Sequence, residues 1–369
     1  MTILLFLAVL AVLVFVHELG HFLAAKISGI RVDEFGLGFP PRLFSFRKGE
    51  TVYSLNLIPF GGFVKILGED PAELQSVPEE KLEQSITRKK RPVQALVLAS
   101  GVLGNMALSW FLISIGFMVG YPAGVADVPE GASLSAPRIM VVGVLPDSPA
   151  GAAGLRTGDV IRGIADTRGD GVSAANLSPQ VVQSFIAPRG GETLSLTYER
   201  GGAVGTLFVT PREGITEGGK SAIGVVMEEV VTLRLPLPRA VLEGARMTGR
   251  LTIAVAVGLA TFALDAIRGV ADVTQVAGPI GIAGLVGEAS QLGIVYLLSF
   301  TAFISINLAV LNLLPFPALD GGRLFFLALE GIRRKPFNPR VMQAVNSVGF
   351  ALLLLLMLAV TYQDIAKLL

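Results

Sequence analysis

The sequence has no cysteine and only two histidines among its 369 residues. The absence of cysteine excludes disulfide bonds, thiol nucleophiles and thiolate metal ligands. Charged residues are also scarce, at 16% against about 25% in a typical soluble protein. The net charge of +1 produces no strong positive field of the kind that binds nucleic acid. Any metal site must therefore draw on the two histidines and on carboxylates.

Apolar residues take the place of the missing charge, making up 52% of the chain with a mean hydropathy of +0.65. Crossing a bilayer takes about 20 apolar residues. Four stretches carry no charged residue, namely 1–16, 92–126, 289–319 and 341–363. The last three exceed the required length, and the first reaches it by continuing past a polar patch at 17–21. The composition predicts a polytopic α-helical membrane protein.

Four transmembrane helices are predicted, and the basic residues orient them. No Lys or Arg precedes Lys26, and a run of basic residues occupies 88–91, just before the second apolar stretch. Because basic residues favour the cytoplasmic side, both termini are predicted to be extracytoplasmic. The helices are predicted at 1–28, 93–121, 291–319 and 341–363, with a cytoplasmic, membrane-associated region at 29–92 and a cytoplasmic loop at 320–340.

A fifth apolar stretch, 251–264, is shorter because Arg250 and Asp265 limit it to fourteen residues. That length is typical of a helix that lies at the membrane interface rather than one that crosses the bilayer. We therefore predict an amphipathic, interfacial helical segment over 233–290.

Residues 122–232 have the composition of a soluble domain. They are rich in glycine and valine, with short alternating apolar runs at 139–144, 193–198 and 206–210. Such runs between turns are typical of strands. The pattern predicts a mainly β domain inserted after the second transmembrane helix, on the extracytoplasmic side.

The sequence His-Glu-Leu-Gly-His at 17–21 contains both histidines of the chain. On a helix, positions i and i+4 share one face, so His17 and His21 can present ring nitrogens to one ion. Glu18 lies about 100° round the helix, where it can take a proton from a water on the metal. A chance match is the alternative, but ionisable residues inside an apolar helix are costly and usually functional. The motif predicts a zinc site.

A catalytic zinc takes three protein ligands, so a carboxylate must complete the set in a chain with no third histidine. Asp320 is the best candidate, because it directly follows the third apolar stretch. Pro315 and Pro317 end the helix there, and Gly321 and Gly322 allow a tight turn. The alternative is a solvated aspartate that caps a cytoplasmic turn. The weaker candidates are Asp265, Asp272 and Glu288.

These two motifs together resemble the site-2 proteases, the intramembrane zinc metalloproteases of regulated proteolysis. The resemblance is greatest to the bacterial regulator of sigma-E protease type, and it covers most of the chain. The segment at 58–65 is similar to the family's membrane-associated β-loop. Further matching segments lie at 34–40, 101–105 and 278–282.

The resemblance implies one zinc ion per chain, held by His17, His21 and Asp320, with Glu18 as the catalytic base. It implies that Asn312, Pro315 and Pro317 help to position the substrate.

Two groups of candidate substrate-binding residues, Asn312 and the pair Gly61 and Gly62, also have a purely structural explanation. Asn312 could hydrogen-bond an unwound substrate backbone or make a polar contact between helices. Gly61 and Gly62 lie in a loop that could offer a strand edge to the substrate, but turn glycines are equally consistent with the sequence. A strand edge would matter to the mechanism, because a helical substrate must unwind before its peptide bond can be attacked.

Residues 143–161 resemble part of the PDZ domains of bacterial proteases, in which such a segment joins two strands around a short helix. One copy is visible, whereas some relatives carry two. The domain could bind peptide in a groove or limit access to the membrane site, and we favour the second interpretation slightly.

The predicted function is that of an intramembrane zinc endopeptidase in a bacterial inner membrane. Its expected substrate is a single-span protein already cut by another protease, such as an anti-sigma factor or a remnant signal peptide. Its other partner is the lipid bilayer, and no nucleic acid is expected. One alternative is a membrane-anchored zinc protease for soluble or misfolded proteins, and another is a non-catalytic membrane PDZ adaptor.

Overall fold

A computed structural model describes residues 2–69, 78–124, 133–215, 219–270, 276–335 and 337–367. The chain forms two compact units. The first comprises Met1–Ile113, Val241–Gly287 and Ser299–Leu369, and the second comprises Ser114–Ala240 and Glu288–Leu298.

The helices and strands have the following bounds. The helices are α1 (Thr2–Ile27), α2 (Glu79–Leu82), α3 (Arg91–Val119), α4 (Pro149–Ala152), α5 (Pro179–Ile186), α6 (Leu237–Ile267), α7 (Pro279–Leu292), α8 (Ile294–Leu313), α9 (Asp320–Arg333) and α10 (Pro339–Ala366). The strands are β1 (Val32–Lys48), β2 (Thr51–Ile66), β3 (Tyr121–Gly124), β4 (Ser133–Leu134), β5 (Arg138–Val144), β6 (Val160–Ala165), β7 (Gly171–Ser173), β8 (Leu194–Arg200), β9 (Ala203–Val209) and β10 (Val225–Arg234).

Within the part of the chain that the structure describes, five helices are long and apolar enough to cross a membrane: α1, α3, α6, α8 and α10. The additional helix corrects the prediction for 251–264, which is not a separate short segment but part of the 31-residue α6. The prediction was based only on the length of the uncharged run. A helix continues through charged residues when they are paired, and Arg246 pairs with the largely buried Glu243 as an i, i+3 ion pair.

The β-sheet of the first unit is built from two long strands that each double back. Residues 34–37 of β1 pair with 62–65 of β2 on one side and with 52–55 on the other, while 44–48 pair with 51–55. The segment 62–66 therefore forms one edge, with no further strand beside it among the described residues.

This sheet packs on the C-terminal end of α1 and the start of α3. Phe22 of α1 makes an edge-to-face contact with Phe35 of β1 at 5.3 Å between ring centroids. Each fully buried aliphatic side chain here contributes about 1.5–3 kcal/mol, which fixes the sheet against the helix that carries the histidines. The buried residues of this cluster are Ala25, Ile30, Val32, Phe35, Val64, Ile66, Ile86 and Val97.

The second unit is rich in β-structure. Its eight-stranded sheet has the order β3-β10-β5-β6-β8-β9, with β4 beside β10 and β7 beside β6. The runs predicted at 139–144, 193–198 and 206–210 form β5, β8 and β9. Between β5 and β6 lies the short α4, whose first turn is capped by Ser148.

The junction between α8 and α9 corrects a second prediction. We expected 320–340 to be a loop, but α9 occupies Asp320–Arg333. Gly321 and Gly322 lie in the first turn of this helix and not in a tight turn. A Cβ at either position would clash with backbone carbonyls at the end of α8 and in the loop after it. The two glycines thus allow α9 to start directly against the end of α8.

Candidate metal centre

The two histidines of α1 lie on one face of the helix, as the i, i+4 spacing predicts. The Nε2 atoms of His17 and His21 are 3.3 Å apart, and the two rings meet nearly edge to face, at 79°. Both side chains are largely buried, with 13% and 10% of their surface exposed.

Asp320 approaches this pair from the first residue of α9. Its Oδ2 atom lies 3.1 Å from His17 Nε2 and 3.3 Å from His21 Nε2. The three atoms therefore form an almost equilateral triangle. Tetrahedral zinc with bonds of about 2.0–2.1 Å separates its ligand atoms by about 3.3–3.4 Å, so the triangle has the size of one face of such a site.

Hydrogen bonding also favours a cation at this position. Asp320 Oδ2 is buried and has no hydrogen-bond donor among the described residues. A buried carboxylate oxygen without a donor or a cation is strongly destabilising. The donor set of two imidazoles and one carboxylate is one that zinc uses in catalytic sites, so the residues present fit the metal.

The structure brings together no other candidate metal group among the described residues. Of the weaker candidates, Asp265 is almost half exposed and lies 3.8 Å from Arg268. Glu288 does not belong to the group that includes the histidines. Asp272 lies outside the described residues.

A backbone carbonyl orients His21. The Nδ1 atom of His21 lies 2.8 Å from the carbonyl oxygen of Val97 on α3, so Nδ1 carries the proton and Nε2 keeps its lone pair. Metal-binding histidines are commonly held in this way by their second nitrogen. The sequence analysis missed this contact, because a backbone acceptor has no sequence signature.

Gly101 of α3 makes room for the two imidazoles. A Cβ at this position would lie 2.8 Å from His17 Nε2 and would clash with His21 Nε2. One turn further on, a Cβ at Gly104 would lie 2.8 Å from the carbonyl oxygen of Val16. These glycines allow α1 and α3 to pack closely. Small residues in an apolar helix are a signal that could have indicated close helix contact.

Glu18 lies beside the sheet edge. A Cβ at Gly62 would be 3.0 Å from Glu18 Cγ, so the start of the edge segment 62–66 lies against the predicted base. Gly61 is in a backbone conformation with φ of 112°, and the ring of Phe39 packs against its α-carbon. The structure therefore brings Gly62 to the site, while Gly61 packs against a neighbouring part of the sheet.

The residues predicted to position the substrate lie on the segment that leads to Asp320. Asn312 is half-buried in the last turn of α8. Pro315 is exposed in the following loop, and Pro317 packs on α10, where a Cβ at Gly349 would be 2.5 Å from Pro317 Cβ.

Arg323 also joins the site to the sheet. It lies one turn after Asp320 in α9 and forms an ion pair with Glu69, which follows β2. The sequence analysis missed this pair because the two residues are far apart in the chain. The contact ties the helix that carries Asp320 to the sheet that carries Gly62.

Comparisons with known proteins identify a family of zinc metallopeptidases. The chain matches the model of Peptidase family M50 over residues 5–356. It is 32% identical to the zinc metalloprotease RasP of Geobacillus kaustophilus, over 98% of this chain and 97% of the relative. It is 31% identical to the regulator of sigma-W protease RasP of Bacillus subtilis, over 100% of this chain and 99% of the relative.

A search of solved structures finds the PDZ domain of an SdrC-like protein from Listeria monocytogenes. It is 24% identical and covers 25% of this chain and 90% of that chain, with a TM-score of 0.21.

Proposed function

The chain belongs to Peptidase family M50, the site-2 protease family of zinc metalloproteases, and from this we propose a specific activity. The protein hydrolyses a peptide bond within the transmembrane helix of a single-span protein that another protease has already shortened. An anti-sigma factor fits this description, and the Bacillus subtilis relative is named a regulator of sigma-W protease. A remnant signal peptide fits it as well.

One observation carries the proposal. His17, His21 and Asp320 gather into a triangle of zinc-site size, and the two histidines lie in an apolar helix of 26 residues. Ionisable residues in such a helix are rare and costly unless they have a function. A membrane-anchored protease for soluble proteins would not need its site within the apolar helix. The adaptor alternative is excluded, because the family is one of zinc metallopeptidases.

His17, His21 and Asp320 hold one zinc ion per chain. When bound, zinc polarises the scissile carbonyl and lowers the pKa of a coordinated water to about 7. The Glu18 carboxylate then accepts a proton from the attacking water and passes it to the departing amide nitrogen. Its position beside His17 on α1 and under Gly62 supports this role.

The sheet edge at 62–66 holds the substrate in an extended conformation. A peptide bond within a helix is shielded and its carbonyl is hydrogen-bonded, so the substrate must unwind to be cut. Pairing with a strand edge satisfies the unwound backbone where water is scarce. The position of this edge against Glu18 supports the assignment, and Asn312, Pro315 and Pro317 border the substrate from the α8 side.

Helix directions support a topology of four crossings. Contacts between residues 97 and 21 and between residues 105 and 17 make α3 antiparallel to α1. Contacts of Ser109 with Ala302 and of Asn105 with Ser305 make α8 antiparallel to α3. The end of α3 and the start of α8 thus face the same side of the membrane.

Any crossing by α6 would therefore need a second crossing before α8. The only described helix between them, α7, has 14 residues, or about 21 Å, and is too short to cross. We propose that α6 enters the bilayer without crossing it. The basic residues then place the second unit and both termini outside the cytoplasm, in a bacterial inner membrane. There the second unit acts as a PDZ-like gate that admits only shortened substrates.

Cleavage of a truncated single-span substrate by the purified protein tests the proposal, with Glu18→Gln as the comparison and the zinc content read on both. We expect the wild type to cut within the span. Glu18→Gln should keep its zinc and lose activity by about 100- to 10,000-fold, the usual contribution of a general base. A wild-type protein without zinc, or a Glu18→Gln protein that cuts at the wild-type rate, would contradict the proposal.

A further inference from the structure

We propose that Asn105 is the positioning residue of His17, and that its side-chain oxygen accepts the Nδ1–H of that histidine. This inference rests on the metal site of the proposed function. It adds a residue to which neither the motif nor the comparisons assign a role.

The geometry around Asn105 points to an amide in the opposite orientation. Asn105 is 1% exposed, and its Nδ2 atom lies 3.4 Å from His17 Nδ1. Its Oδ1 atom is buried and has no hydrogen-bond donor among the described residues. The oxygen and nitrogen of an amide have nearly the same shape, so their assignment follows from hydrogen bonding.

The tautomer of His17 decides which amide atom faces it. His17 Nε2 points at Asp320 and His21, both within 3.3 Å, and must keep its lone pair to bind a metal. The proton of the neutral ring is then on Nδ1, which becomes a donor. An amide NH2 is also a donor, and two donors cannot share a hydrogen bond. With metal bound, the amide oxygen must therefore face His17.

The two histidines are thus supported in different ways. His21 Nδ1 donates to a backbone carbonyl, that of Val97, which no substitution removes. His17 Nδ1 has the Asn105 side chain beside it. The support of His17 can therefore be removed by mutation while that of His21 stays intact.

Asn105 is itself held by the neighbouring helix. Ser305 of α8 donates its hydroxyl to the Asn105 backbone carbonyl at 2.9 Å. Ser109 Oγ lies 2.9 Å from the same carbonyl and 3.0 Å from the carbonyl of Ala302 on α8. Both serines are fully buried. These contacts fix α3 against α8 at the position of Asn105, so the orientation of His17 depends on the helix that leads to Asp320.

The test is the zinc affinity of the full-length protein in detergent, measured by competition with a chromogenic chelator, with thermal unfolding as the fold control. Asn105→Leu keeps the size and removes the acceptor, and we expect zinc affinity to fall about 10- to 100-fold, as for other lost supports of a metal ligand. Asn105→Asp keeps an acceptor and should stay within about threefold of wild type. Thr248→Ala is the matched control, because it removes a buried hydroxyl that donates to the carbonyl of Gly244 within α6.

Three results would overturn the proposal: Asn105→Leu binding zinc within twofold of wild type, Asn105→Asp losing as much affinity as Asn105→Leu, or Thr248→Ala losing as much as either. If Asn105→Leu does not fold, Asn105→Ala takes its place with the same expectation. A wild-type protein that binds no zinc would instead contradict the proposed function, so the two failures are distinguishable.

Discussion

Buried carboxylates occur in both units of the protein, but their surroundings differ. In the β-rich unit, Asp159 is 0% exposed and accepts hydrogen bonds from Arg200 Nε and Nη2, both at 2.6 Å, and from the backbone N–H of Arg156 at 2.8 Å. In the membrane unit, Asp320 Oδ2 has two histidine nitrogens as neighbours and no hydrogen-bond donor among the described residues.

The difference separates a structural carboxylate from a functional one. A carboxylate that serves only the fold is satisfied by donors of its own chain, because an unsatisfied buried charge is costly. A carboxylate that must bind an ion keeps its lone pairs available, and it is stabilised only when the ion is present. Substitutions at the two kinds of site should accordingly affect different measurements.

The largest expected effect is that of Asp320→Asn on cleavage and zinc binding. Zinc affinity should fall by more than the roughly 10- to 100-fold loss that is typical when a supporting hydrogen bond of a metal ligand is removed. Cleavage should be undetectable. Stability without metal should be unchanged or higher, because the substitution removes a buried charge that has no donor and loses only the smaller benefit of a carboxylate at a helix N-terminus. Zinc titration and metal-free thermal unfolding measure both quantities, and unchanged zinc affinity would contradict the assignment.

Gly101→Ala should affect the metal centre from the opposite helix. Its Cβ would clash with His21 Nε2, so we expect zinc affinity to fall by about tenfold or more. The matched control is Gly249→Ala in α6, where no atom lies within 4 Å of the added Cβ. That variant should bind zinc normally and gain up to about 1 kcal/mol of stability. Equal zinc affinity in the two variants would mean that close packing at Gly101 is unimportant.

Asp159→Asn should lower the stability of the protein and leave zinc binding unchanged, which is the opposite of what Asp320→Asn should do. It removes the charge partner of the Arg200 guanidinium, which is 36% exposed, so the loss of stability should be moderate, about 1–3 kcal/mol. Zinc content should stay at the wild-type level. Thermal unfolding of the full-length protein and metal analysis provide the measurements, and a loss of zinc would remove the distinction between the two carboxylates.

The smallest expected effect is the pH dependence due to Asp166. Burial alone would raise the pKa of this carboxyl, but hydrogen bonds from the backbone N–H groups of Arg168 and Asp170 and from Arg189 outweigh it and hold the pKa below its usual value. A lowered pKa stabilises the folded state above the unfolded-state pKa of about 4, and this stabilisation is lost as the pH falls through the folded-state value. The difference in melting temperature between wild type and Asp166→Asn should therefore shrink below about pH 4, and a constant difference would refute this.

Several parts of the fold followed from local patterns. The uncharged runs predicted α1, α3, α8 and α10, because a helix that crosses a bilayer must be apolar along most of its length. The alternating runs predicted β5, β8 and β9. The sequence predicted a helical segment in the region of α6 but underestimated the apolar helix, and it predicted a loop where α9 lies. Both helices contain charged residues, so the length of an uncharged run does not show where they begin and end. Gly321 and Gly322 were expected to form a turn, but they lie in a helix that contacts the end of α8 closely.

Some features of the metal centre also followed from local sequence patterns, and others did not. The spacing of His17, Glu18 and His21 determined their shared helix face, since the period of an α-helix is a local property. The scarcity of histidine and the lack of cysteine required a carboxylate as the further ligand. Tertiary structure alone brought Asp320 from 303 positions away in the chain to within 3.1 Å of His17. It also placed the Val97 carbonyl and the Asn105 amide behind the two rings, because such contacts depend on how helices pack, which no local pattern specifies.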